Sequence, residues 1–244
     1  MKAKIILLVV IVFLGAMILS YKSSSQSRQA TSDTLYTNEA ATLSERVEKA
    51  KSDQKKRVVF PGPIGFFAHV ESLSQASNDY RVIVAELIAQ KSYARSGDMI
   101  KTWNKFKIVE DLSTGKAPTT FASALSDSLP EELDDSLLPI EADEILIFQM
   151  GGILNVDGVE LVQETKHFPL LDVNQKYLLF VEKSQSEKAR RMQLGPYGIF
   201  LIDQDNLLSP LTEKPHPISL DIARKFGNSL ERIKTSLTKR PSQD

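Results

Sequence analysis

The 244-residue chain contains no cysteine. Disulfide cross-links, thiolate catalysis, cysteine metal sites and lipid attachment through a cysteine are excluded together by that absence. Histidine is scarce: only His69, His167 and His216 occur. No two of them stand at helical spacing and there is no His-Glu-x-x-His, so a zinc site would need three distant segments. Turn or surface histidines are the expectation. An excess of charge of one sign is also missing, with 30 Lys and Arg against 31 Asp and Glu. Setting Lys2, Lys4 and Lys22 aside leaves 27 basic and 31 acidic residues, net −4, which is not the balance of a nucleic-acid binder.

Nucleophile and phosphate motifs are absent as well. There is no Gly-x-Ser-x-Gly, and the clusters Gly62/Gly65, Gly151/Gly152 and Gly195/Gly198 lack the Lys-Ser/Thr of a phosphate loop. Glycines that let strands turn explain them. Residues 127–144 hold eight acidic side chains (Asp127, Glu131, Glu132, Asp134, Asp135, Glu141, Asp143, Glu144) and no basic one. A calcium loop needs a glycine for its sharp turn, whereas this stretch has none and is interrupted by Pro130 and Pro139. A solvated acidic loop is expected. No catalytic residue, cofactor-binding residue, cofactor or metal ligand is assigned.

What is present begins at the N-terminus. From residue 5 to residue 19 every side chain is apolar or Gly, with Lys2 and Lys4 before the run and Lys22 after it. The length falls between the apolar core of a cleaved signal peptide, about 7–15 residues, and a spanning helix of about 17–25. No Ala-x-Ala site follows, so residues 1–21 are expected to be an uncleaved anchor, with a cleaved signal and a secreted or periplasmic product as the alternative. Lys2 and Lys4 keep that end cytoplasmic, placing the rest outside a single-pass cell membrane.

Residues 22–56 read as a tether rich in Ser, Thr, Gln and Asn, carrying a possible short exposed helix after the capping-box spacing of Thr42 and Glu45. A β-rich domain follows over 57–212. Its strand candidates are residues 57–60, a long hairpin of 80–89 and 101–112 around a turn at 95–98, then 145–150, 159–163, 177–181 and 198–202. Short strands without alternating helices predict an antiparallel barrel or sandwich. Over 213–240 a helix is expected, because Ile222, Ala223, Phe226, Leu230, Ile233 and Leu237 share one helical face. Packing on the β domain is the reading taken; its Arg224, Lys225, Arg232, Lys234, Lys239 and Arg240 also suit an anionic membrane surface. The fold class is thus mainly β with flanking helices.

The segment Asp-Val-Asn-Gln-Lys-Tyr-Leu-Leu-Phe-Val-Glu at 172–182, followed by Gly-Pro-Tyr-Gly-Ile-Phe-Leu-Ile-Asp at 195–203, resembles a group of exported bacterial domains similar to the netrin-like modules. That resemblance spans about residues 80–205 and implies a five-stranded OB-like barrel with attached helices. The inhibitory netrin-like proteins act through an N-terminal cysteine, which this chain lacks, so protease inhibition is not implied. The expected role is a membrane-tethered extracytoplasmic binding or interaction module, with an envelope protein as a partner and no nucleic acid. The alternatives are a cell-envelope hydrolase with a dispersed site, which a cleft joining a histidine to a carboxylate and a Ser or Thr would favour, and a structural subunit of a membrane assembly.

Overall fold

The run of β-branched and apolar residues after Asp79 builds the longest element among the described residues, a strand of 16 residues. The computed structural model describes residues 33–38, 41–62, 69–95, 99–113, 135–165, 168–182, 190–191, 195–212 and 214–238. Among them the strands are β1 (Thr34–Tyr36), β2 (Arg57–Pro61), β3 (Tyr80–Arg95), β4 (Met99–Asp111), β5 (Glu144–Met150), β6 (Gly152–Val156), β7 (Val159–Glu164), β8 (Lys176–Glu182), β9 (Arg190–Arg191), β10 (Ile199–Ile202) and β11 (Leu208–Pro210). The helices are α1 (Leu43–Ser52), α2 (Leu73–Asp79), α3 (Pro217–Phe226) and α4 (Leu230–Thr238). The expected hairpin is β3 with β4, and its register shifts at Val84/Ala85 and Leu87/Ala89 mark bulges that bend and twist the pair.

Among the described residues two sheets form, one of seven strands in the order β11-β10-β8-β3-β4-β5-β9 and one of four in the order β1-β2-β7-β6. The apolar run in β8 is continuous because both of its faces are covered. Leu178 and Phe180 join Val82, Val84 and Phe200 under α2, α3 and α4, while Tyr177, Leu179 and Val181 join Ile83, Leu87, Phe106 and Ile147 on the other face. The tight β6–β7 turn holds Asp157 at φ 50 and Gly158 at φ 81, the positive angles that a two-residue hairpin turn requires.

Three expectations change. The pairing is not wholly antiparallel: β2 runs parallel to β7 and β5 parallel to β9. Both pairs join segments far apart in the chain, so no tight turn forces them antiparallel. The stretch expected as a tether up to residue 56 contributes to the core. Thr42 and Glu45 form the capping box of α1, and Leu43, Val47 and Ala50 are buried against Val58, Phe60 and Leu161, with the Arg46 guanidinium 4.2 Å from the Phe60 ring centre. Finally, the single C-terminal helix is two helices. Gly227 ends α3 in the left-handed region at φ 58 and Asn228 follows at φ 58; the Ser229 hydroxyl then accepts the Arg232 N–H at the start of α4. Ile218, Ile222, Leu230, Ile233 and Leu237 are buried, but Ala223 is exposed and Phe226 only half-buried.

A polar seam joins the sheets where the chain passes from β5 to β6. The Ile153 N–H donates to the Ser92 hydroxyl at 3.2 Å, the Ser92 and Thr102 hydroxyls are 2.8 Å apart, and Thr102 donates to the Gly151 carbonyl at 2.7 Å. The buried Gln163 amide oxygen accepts the Ile100 N–H at 2.7 Å. Further along the same face the Gln90 amide donates to Asn104, and Asn104 to Gln149. The bonds to Thr102, Asn104, Gln149 and Gln163 satisfy polar groups that burial would otherwise penalise. The expected anchor at 1–21 lies outside the described residues; no helix among the described residues is long and apolar enough to cross a membrane.

Candidate functional site

Two of the three histidines meet. His216 is the N-cap of α3, where Pro217 fixes the first helical residue, and its ring stacks on Tyr197 with centroids 4.2 Å apart. His69, on the segment leading into α2, approaches edge-on at 5.5 Å. His167 lies outside the described residues. His216 Nδ1 accepts the Ile218 N–H at 3.4 Å, so the neutral ring carries its proton on Nε2. The Ser219 hydroxyl is committed to the His216 backbone, accepting its N–H at 3.1 Å and donating to its carbonyl at 2.8 Å. A helix cap and an aromatic stack result, not the Ser-His arrangement of a nucleophile.

Burial, and secondarily the neighbouring His69, hold the His216 imidazole below its ordinary range. In the unfolded chain it titrates near about 6.5, so below that pH the unfolded state binds the extra proton first. The resulting stability is complete above about pH 6.5 and declines as pH falls through the window down to the depressed folded value. Protonating Nδ1 also removes the acceptor for Ile218. Melting temperatures measured from neutral to mildly acidic pH are therefore expected to fall more steeply for the wild type than for His216→Asn, which keeps a capping side chain but cannot titrate. Parallel slopes would show that His216 does not carry the effect.

The acidic stretch is only partly in view: Asp127, Glu131, Glu132 and Asp134 lie outside the described residues. Its end is structural. Lys105 Nζ lies 2.9 Å from Glu144 Oε2 and donates to the Pro139 carbonyl at 2.7 Å, and Glu144 in turn accepts the Glu141 N–H. Among the described residues no three His, Asp or Glu side chains are grouped to hold a metal ion. The 172–182 motif is likewise used by the fold. The Tyr177 hydroxyl accepts the Asp172 N–H at 2.9 Å and lies 3.2 Å from its carbonyl, and burial pushes its pKa up to about 12.

A groove opens on the surface at the elbow between α3 and α4. Lys225, Phe226, Glu231, Arg232, Thr235 and Ser236 line this groove of about 400 Å³. On α3, the buried Asp221 carboxylate accepts the Leu73 N–H at 3.0 Å and meets Lys225 at 2.8 Å and Arg224 at 3.6 Å. Burial pushes this carboxyl up, but the Lys225 and Leu73 hydrogen bonds and the two cations outweigh burial and hold it below the usual range. Asp221 is 4% exposed while Arg224 and Lys225 are 77% and 51% exposed, so solvent meets the cations and not the carboxylate. The sequence shows the basic residues of this segment; the elbow that makes a groove of them depends on Gly227 and Asn228 adopting positive φ. No protein-family model and no curated protein sequence matches the chain.

Proposed function

We propose that this protein is a membrane-tethered extracytoplasmic interaction module that binds through the α3–α4 elbow. The groove carries this reading: a half-buried aromatic set among Lys225, Arg232, Glu231 and small hydroxyls offers an apolar anchor with a polar rim, as contact surfaces do. The apolar run at 5–19 with Lys2 and Lys4 supports the tether and the orientation. For the domain we propose an OB-like, partly open barrel. The β3-β4-β5 meander, the return of β8 to β3 and the parallel pairing of β9 with β5 bring late strands back beside early ones, which supports it.

Because the chain has no cysteine, Thr235→Cys introduces its single thiol at the exposed rim of the groove. In intact cells that thiol is expected to react with a membrane-impermeant maleimide and to stay with the membrane fraction. Labelling only after lysis would overturn the orientation. Recovery of the labelled protein in the soluble fraction would overturn the tether.

A further inference from the structure

We infer that the exposed face of the α3–α4 elbow is a docking surface for the anionic lipid surface of the membrane that holds the chain, an inference that rests on the tether reading above. Charge is segregated along the sequence. Residues 213–240 carry seven basic side chains (Lys214, Arg224, Lys225, Arg232, Lys234, Lys239, Arg240) against Glu213, Asp221 and Glu231, net +4. Residues 23–212 carry 20 basic against 27 acidic, net −7. A segment with this excess of positive charge is drawn toward a negative plane, and the acidic remainder of the chain is not.

The elbow surface has the two components that interfacial binding needs. Arg224, Lys225 and Arg232 supply exposed cations, and Leu220, 56% exposed on α3, together with the half-buried Phe226 supplies apolar groups among them. The buried face of these helices is already occupied by the domain core, so the contact is a shallow one that adds headgroup attraction to a small apolar area. Tether length makes a weak contact sufficient. Residues 23–33 are eleven residues, which reach at most about 40 Å when extended, so the domain is confined to a layer beside the lipid at high effective concentration.

The test uses the full-length chain with Thr235→Cys carrying an environment-sensitive fluorophore. It is reconstituted into vesicles of phosphatidylglycerol with phosphatidylcholine, or of phosphatidylcholine alone, each with a headgroup-labelled quenching lipid. Quenching is expected to be several-fold stronger in the anionic vesicles and to weaken as salt is raised. Arg224→Glu with Arg232→Glu should reduce it to the phosphatidylcholine level, since each cation near an anionic surface contributes about a five-fold factor in partitioning. The exposed pair Lys56→Glu with Lys176→Glu changes net charge equally and should leave quenching unaltered; Leu220→Ser should lower it. Equal quenching in both vesicle types, or quenching that survives the double arginine reversal, overturns the docking surface. Chains that float with the vesicles yet show no quenching sink this inference and leave the tether standing. Chains that fail to float sink both.

Discussion

Replacing Gly151 by alanine is expected to destabilise the domain by about 2–5 kcal/mol, read as a lowered urea midpoint. The residue sits at φ 86, where an L side chain meets its own carbonyl, at roughly 1–2 kcal/mol. A Cβ there would also lie 2.7 Å from the Gln163 carbonyl oxygen and 2.9 Å from the Thr165 hydroxyl. Relief requires moving backbone or breaking the Thr165 bond to the Met150 carbonyl, and overpacking of that kind costs a further 1–3 kcal/mol or so. Gly152 is crowded in the same way, with a Cβ falling 2.5 Å from the Ser92 hydroxyl and closer still to that of Thr102. Gly158→Ala is the control. It shares the positive φ, at 81, but a Cβ there meets nothing within 4 Å. It should therefore show the conformational part alone, and a Gly151→Ala variant as mild as Gly158→Ala would remove the close approach of the two sheets as the explanation.

The strands that became β3, β4, β5, β8 and β10 were legible because burial on one or both faces leaves apolar runs too long or too regular for loops. β1, β9 and β11 are two or three residues long, and no periodicity can be read over such a span. Thr102, Asn104, Gln149 and Gln163 are polar by composition and almost fully buried in the fold, where each is hydrogen-bonded. Hydropathy alone does not separate a satisfied buried amide from an exposed one. The meeting of His69, Tyr197 and His216 has no local spacing to announce it, since each comes from a different part of the chain. The burial of α1, expected as an exposed helix, is not legible in sequence because the Arg46 guanidinium lies over Phe60, a long charged side chain covering apolar surface.

The C-terminal helices give the second large effect, and the break at Gly227 changes which residue should show it. On a single continuous helix Phe226 lies on the same face as Ile222 and Ile233, and its truncation would carry the full cost of a buried aromatic, about 3–5 kcal/mol. The elbow instead turns that ring to the edge of the core, where it is half-buried and lines the groove. Ile222 and Ile233, both 0% exposed, form the inner contact with Val84, Phe180 and Phe200. Ile233→Ala or Ile222→Ala is therefore expected to cost about 2–5 kcal/mol, as buried isoleucine truncations do. Phe226→Ala should cost less than either, because less of its surface leaves water on folding. Helices of ten and nine residues have little stability of their own, so losing this contact releases them as a pair. Lys234, which holds Glu110 of β4 at 2.7 Å, cannot compensate, because ion pairs this exposed contribute only about 0–1 kcal/mol. Urea unfolding of the three alanine variants decides the order. If Phe226→Ala proved the most damaging, the ring would be part of the closed core, and the groove that carries the binding reading would not be open in solution.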